Sequence, residues 1–355
     1  MKRFLIALTT ILTAHLAVAQ TASYRNNYKH YEGKMGKTDV VMEAFYFDND
    51  VSGIVYPKKS SECLHVQGSA ENGVLNLSTA DNRKITITDL KEDYSQCMRF
   101  NEVYAELYDS IPFAPTDEDN TVATNTIAYT YLQPAAYKGI ETNSDTKALF
   151  AKMFNAAPQQ SVEGYFFYPE PYPTMKLKND FQAAKNSFRK FVDNELQTED
   201  KITAQELTMQ ETNYQYVTYN ANGLVCIINH CYSYAGGAHG MYAHIPVIFD
   251  LEQNRVLTKE DIFKPGTDAA IIKLIIKYFI AHGDADDKPS DESEGIFKDD
   301  VFVGNNIGIE NGNIIFYYQP YDINSYVAGA YSAVIKISEL LPYITDNSPI
   351  KRMLK

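Results

Sequence analysis

An α+β fold is predicted, with an N-terminal antiparallel β meander followed by an α+β region of antiparallel sheet and packed helices. Three observations carry this. Short β-rich runs crowd residues 24–110 with little helical period. Apolar residues at helical spacing appear only after about residue 144. Strands then return beyond residue 214, interleaved with helices that carry their own start signals.

The first nineteen residues read as an address. Lys2 and Arg3 form a positive n-region, Phe4–Leu16 is apolar but for Thr and His, and Ala17-Val18-Ala19 supplies a peptidase site before Gln20. The apolar run is too short and too polar to span ~30 Å of hydrocarbon, so no membrane anchor is expected. A periplasmic or secreted location follows as the expectation. Formal charge moves from −13 to −15 on cleavage, because residues 1–19 hold two cations and no acid. Such acidity opposes nucleic-acid binding, which needs a basic footprint.

Val40–Phe47, Ser52–Tyr56, Cys63–Gln67, Val74–Ser78 and Lys84–Thr88 read as short strands, with Asn72-Gly73 the strongest hairpin cue. Together they predict a meander closed into a partial barrel or packed on its neighbour. Pro112–Asn120 reads as a linker, and Ser144–Asn155 as a short helix. Leu177, Phe181, Ala184, Phe188, Val192 and Leu196 mark one face of a longer helix. Tyr214–Tyr219, Leu224–Tyr232 and Tyr242–Leu251 are strands. Thr258 with Asp261 resembles a capping box, and Thr267 can cap a helix carrying Ile271, Ile275 and Phe279. The Asp-rich stretch His282–Glu294 reads as a loop, and strands return at Ile307–Ile309, Ile314–Gln319 and Ser332–Ile337.

Export permits disulfides. Cys226 and Cys231 share one strand and lie roughly 17 Å apart when extended, beyond the ~7 Å that a bridge allows. Cys63 and Cys97 are therefore the pair expected to bond, four buried free thiols being the alternative.

Chemistry-bearing motifs are few. Three glycines in Tyr234-Ala235-Gly236-Gly237-Ala238-His239-Gly240 mark a bulge or a close backbone approach. A phosphate cradle would need a following helix and usually a Lys, and a strand follows instead. His230, His239, His244 and His282 lack metal-site spacing, so no metal and no cofactor are expected. Ser233, His239 and Asp250 could form a hydrolytic trio, but no nucleophile elbow presents the serine, and no catalytic residue is assigned. Tyr is abundant at 27 residues and Trp absent. Tyr suits both strand packing and recognition of proteins or glycans.

These residues also carry a resemblance. The run Tyr234–Gly240, followed by Pro246–Leu251 and Leu257–Phe263, resembles the extracytoplasmic domain shared by the anti-sigma factor RsiV and the peptidoglycan deacetylase PdaC. Phe316–Ile323 and Tyr326–Gly329 are similar to that family's terminal motif. After the signal peptide over 1–19 and the β-rich domain over 20–112, the resemblance implies a PdaC-like α+β domain over 113–220 and an RsiV-like α+β domain over 221–355. The N-terminal part resembles β modules of secreted Bacteroidetes members. RsiV-type domains sense lysozyme, and PdaC-type proteins place metal-dependent deacetylation in a separate catalytic domain. This chain shows neither a sigma-binding segment nor that catalytic half. The implied role is a secreted, non-enzymatic envelope protein that binds a protein or a cell-wall glycan. An envelope hydrolase using the glycine-loop His is the alternative. Tyr234, Gly236, Gly237 and His239 are expected to meet Tyr321 and Tyr326 to form the binding site.

Overall fold

The computed structural model describes residues 21–25, 27–47, 50–71, 74–112, 122–145, 147–148, 161–162, 165–166, 177–198, 204, 206–236, 239–284 and 295–354. The expected signal peptide, the Asn72-Gly73 turn, the expected linker apart from Pro112, most of Ser144–Asn155, most of the Asp-rich stretch and Gly237 lie outside them. The α+β class holds, with antiparallel sheet dominant.

Strand β1 (Thr21–Arg25) belongs to a large sheet, and the next six close a barrel. These are β2 (Tyr28–Met35), β3 (Thr38–Phe47), β4 (Asp50–Pro57), β5 (Leu64–Glu71), β6 (Val74–Ser78) and β7 (Lys84–Glu92). Neighbours pair antiparallel, and β2 closes the ring against β7 through Tyr31↔Glu92 and Lys34↔Thr88. Alternation makes the barrel: Val40, Met42 and Ala44 point inward with Leu75, Leu77, Ile85 and Ile87.

The large sheet takes β8 (Met98–Pro112) and β9 (Val122–Tyr137), with the short β10 (Ile140–Glu141) paired to β9. A two-stranded pair, β11 (Ser161–Val162) and β12 (Tyr165–Phe166), lies apart from it. Helix α1 (Leu177–Thr198) supplies the crossover that a parallel pair requires. Its predicted stripe is buried at Phe188 and Val192, and Arg189 grips the buried Asp109 of β8 through two hydrogen bonds of 2.8 and 2.9 Å.

Next come β13 (Met209–Ala221), β14 (Leu224–Ala235), β15 (Met241–Asp250) and β16 (Arg255–Val256). The order β1-β8-β9-β13-β14-β15-β16 draws strands from all three regions expected along the chain. Among the described strands every pair is antiparallel except β9 with β13, which runs parallel from Asn125↔Met209 to Thr130↔Tyr214. Beyond that point the two strands part, and side-chain amides replace the ladder. Gln215 accepts from the Leu132 N–H at 3.0 Å. Asn220 accepts from the Met98 N–H at 2.8 Å and donates to the Met98 carbonyl at 2.7 Å.

Leu224–Ile228 are all buried because both faces of β14 are covered. Val225 and Ile227 join Tyr28, Phe100 and Phe249 in the fork between sheet and barrel. Cys226 and Ile228 face the C-terminal layer. That layer comprises α2 (Lys259–Ile262), α3 (Asp268–His282), the sheet β17 (Ile307–Glu310), β18 (Asn313–Tyr318) and β19 (Tyr331–Lys336), and α4 (Ile337–Leu340). The capping box forms, with Asp261 accepting from the Thr258 N–H at 2.8 Å. Helix α3 ends at Gly283, whose φ of +79° suits the residue.

The barrel is fastened at two points. Inside the fork, Glu43 is fully buried and accepts from Tyr28 Oη at 2.6 Å and Tyr56 Oη at 2.8 Å, with His30 Nδ1 at 2.9 Å. Asn220 Nδ2 reaches Tyr28 Oη at 2.7 Å. At the C-terminal layer, Asn313 donates to the Ser61 carbonyl at 2.9 Å, and Glu310 holds His65 Nε2 at 3.1 Å.

The cysteines correct an expectation. All four are free thiols, and the Cys63–Cys97 bond is not formed. Cys97 donates to the Asp93 carbonyl at 3.2 Å beside His30, while Cys63 interacts with Glu310. Each thiol faces its own buried carboxylate cluster, one at each fastening. Burial lifts both pKa values above the ordinary one, Glu310 adding to the rise at Cys63 and His30 opposing it at Cys97.

Candidate functional site

Strand β16 covers only Phe249 and Asp250 of its neighbour. The outer edge of β15 around His244 is therefore left to a side chain, and Gln319 takes it. Its carboxamide accepts from the His244 N–H at 2.8 Å and donates to the His244 carbonyl at 2.6 Å, imitating a strand partner. This pins the segment after β18 against β15. Asp322 continues the anchor by accepting from the Gln319 N–H at 2.7 Å. Burial pushes the Asp322 carboxyl up to about 6, and that hydrogen bond opposes the rise.

The anchored segment delivers two tyrosines. Tyr321 has φ +74°, a left-handed conformation that a bulky residue rarely adopts, and its ring is 43% exposed. Tyr326 opens a short 3-10 turn (Tyr326–Ala328), and its ring centroid lies 5.6 Å from that of Tyr321. Residue order alone does not reveal this left-handed backbone.

The glycine-rich connection between β14 and β15 supplies a third ring. His239 is exposed and stacks on Tyr326, ring centroids 3.8 Å apart and planes 15° from parallel. Its Nδ1 lies 3.1 Å from the Gly240 carbonyl, which also accepts the Tyr326 hydroxyl. Gly240 is required here because a Cβ would stand 2.4 Å from Tyr232 Oη. Tyr242 completes the joint by accepting from the Ala330 N–H at 3.0 Å. His239, Tyr321 and Tyr326 are thus brought together across more than eighty residues of sequence, as the two motifs predict. Gly240 and Gln319, which make the meeting possible, are missing from the set read from sequence.

The remaining predicted residues sit differently. Tyr234 lies opposite Gln210 near the end of β14. Gly236 has φ +81°, and a Cβ there would meet the Glu206 carbonyl at 2.3 Å. Both shape the base of the connection, and Gly237 is outside the described residues. The Ser233–His239–Asp250 trio is not assembled. Ser233 pairs with Met241 at one end of β15, and Asp250 is buried at the other end, held by Arg352 at 2.6 Å.

His230 and His244 lie opposite each other on β14 and β15, their Nδ1 atoms 3.5 Å apart. Burial lowers both pKa values, and the His244 neighbour helps to bring His230 to about 4. Among the described residues no group of three or more His, Cys, Asp or Glu could hold a metal ion. No described helix is long and apolar enough to cross a membrane.

Residues 260–338 match the family described as "Protein of unknown function (DUF3298)", a span from α2 to the start of α4 that includes Tyr321 and Tyr326. No curated protein matches the chain. A crystal structure of a DUF3298 family member from Bacteroides fragilis is similar over 74% of this chain and 99% of its own, with 18% identity and a TM-score of 0.53. A DUF3298 family protein from Pseudomonas aeruginosa covers 68% of this chain and 94% of its own, at 17% identity and a TM-score of 0.41. The likeness to the Bacteroides protein is one of fold, and over residues 260–338 the sequence carries the DUF3298 pattern.

Proposed function

We propose that this chain is an exported, non-enzymatic binding protein of the bacterial envelope, with an RsiV/PdaC-like C-terminal region. Its partner is a protein or a cell-wall glycan outside the cytoplasm, met by Tyr321, Tyr326 and His239. One observation carries the reading: a bulky aromatic residue is held exposed on a left-handed backbone beside a stacked His–Tyr pair. Strain of this kind is retained where the surroundings enforce it for a purpose, and Tyr is a favoured anchor of recognition surfaces. What supports binding over hydrolysis is the engagement of His239, one face on Tyr326 and Nδ1 beside a carbonyl. Export rests on the residues before Gln20.

The test is a pull-down with purified lysozyme and peptidoglycan as defined baits, beside envelope extract. Retention on a bait that falls in Tyr321→Ala, with the melting temperature kept, is expected. Equal retention of wild type and variant, or none on any bait, defeats the proposal. Mass spectrometry of exported material should find Gln20 at the N-terminus, and Met1 retained on a cytoplasmic species removes the export half.

A further inference from the structure

A cleft of about 620 Å³ opens at the mouth of the fork, where barrel strands β3, β4 and β5 face β8, β9 and β13. That volume lies within the ~300–1,000 Å³ common for small-molecule sites. The cleft exists because β9 and β13 part after Thr130↔Tyr214, leaving the sheet open beside the curved wall of the barrel. It shares no lining residue with the Tyr321–Tyr326–His239 patch.

Five aromatic rings line it: Phe45, Tyr46, Tyr104, Tyr214 and Tyr216. Tyr214 is 39% exposed and is held in place by stacking on His230, centroids 4.5 Å apart. The Tyr46 hydroxyl is fixed by donating to Tyr31 Oη at 2.9 Å. Short polar groups stand among the rings, namely Thr130, Thr212, Asn213 and Glu102. Neither Lys nor Arg occurs among the described lining residues.

This chemistry narrows the ligand. Phosphates and carboxylates are recognised through cationic groups; the lining offers no guanidinium or ammonium, and its one imidazole, His65, is already held by Glu310 at 3.1 Å. A lipid chain would desolvate Glu102, Asn213 and the threonines with nothing to hydrogen-bond in return. Ring faces beside a carboxylate and uncharged hydroxyl and amide groups match a molecule with an apolar C–H face and a rim of hydroxyls. We propose that the cleft binds a short neutral oligosaccharide, with pyranose faces on Tyr214 and Tyr104 and hydroxyls on Asn213, Thr212 and Glu102. The site stands whether or not the loop patch binds anything.

The test titrates the full-length protein with chitotriose, cellotriose and maltotriose by calorimetry. At least one should bind in the millimolar range or tighter. Tyr214→Ala and Tyr104→Ala should each weaken it about tenfold, as loss of a stacking contact does. Tyr214→Phe should keep the affinity, and the Tyr321→Ala/Tyr326→Ala double variant should bind like wild type. Should Tyr214→Ala fail to fold, Asn213→Ala reads the same site. No binding of any trisaccharide up to about 10 mM overturns the proposal. So does affinity unchanged in every cleft variant, loss confined to the loop variant, or Tyr214-dependent binding of laurate with no sugar bound.

Discussion

Replacing Glu43 by Gln should cost about 3–5 kcal/mol at neutral pH, the range for breaking a buried charged pair. Glu43 is fully buried and receives Tyr28, Tyr56 and His30 at 2.6–2.9 Å. Gln preserves the volume but turns one acceptor oxygen into an amide that meets hydroxyl donors, so at least one buried donor loses its partner, at ~1–3 kcal/mol. The pH dependence is the sharper signature. Burial alone would lower the His30 pKa, but Glu43 and Cys97 lift it from 6.5 to about 11. Between those values the folded chain keeps a proton that the unfolded chain releases. The contribution is therefore complete below 6.5 and falls as pH rises toward about 11, by ~1.4 kcal/mol per pH unit. Urea denaturation of both proteins, followed by circular dichroism at about pH 6, 7.5 and 9, isolates this slope as the difference between the curves. Without the carboxylate His30 is buried neutral, so the gap should narrow as pH rises. A loss below ~1 kcal/mol, or a gap that stays constant with pH, would refute the reasoning.

Three further outcomes follow from the geometry. Tyr321→Gly relieves a left-handed backbone worth ~1 kcal/mol and removes an exposed ring, so melting temperature should hold or rise while bait retention falls; a clear drop in melting temperature would make the ring structural. Asp322→Asn keeps the acceptor for the Gln319 N–H and drops a carboxylate whose pKa burial raises to about 6. Wild type should lose stability as pH climbs through that value and the variant should not, so thermal melts at about pH 4.5 and 7.5 must show the variant gaining at the higher pH. Thiol titration in denaturant without reductant should count four free cysteines, and a count of two would restore a disulfide.

Five of the barrel's six strands, β3 to β7, were legible as short β-rich runs ended by turn residues, while β2 (Tyr28–Met35), whose burial does not alternate cleanly, was not. The barrel's closure was legible only as one of two alternatives, since Tyr31↔Glu92 is a pairing across the whole module. Strand β9 went unread for a plain reason: its inward positions include Ala123, Asn125 and Ala135, too small or polar to give an apolar alternation. The meeting of His239 with Tyr326 could be argued from two motif-rich strand ends in one domain. Its means could not, because Gln319 acts as a substitute strand and nothing in the residue order announces that. The cysteines misled through compartment and spacing, which are silent about a buried Glu waiting beside each thiol.

The one parallel pairing among the described strands also sets an order of assembly. Strands β8 and β9 form one hairpin, and β13 to β15 form a meander, each from contacts close in sequence. Joining them means closing the whole stretch from Tyr137 to Met209, α1 included, before any β9–β13 contact offsets the lost chain entropy. The seam at Thr130↔Tyr214 is thus the late step, and until it forms two sheet edges stand open to other chains. A chain that leaves the cytoplasm unfolded would pass through this exposed state after translocation. Asn125, Gln215 and the Arg189–Asp109 clasp, all at or beside the seam, are then the places where substitutions would show first as poor yield rather than as altered binding.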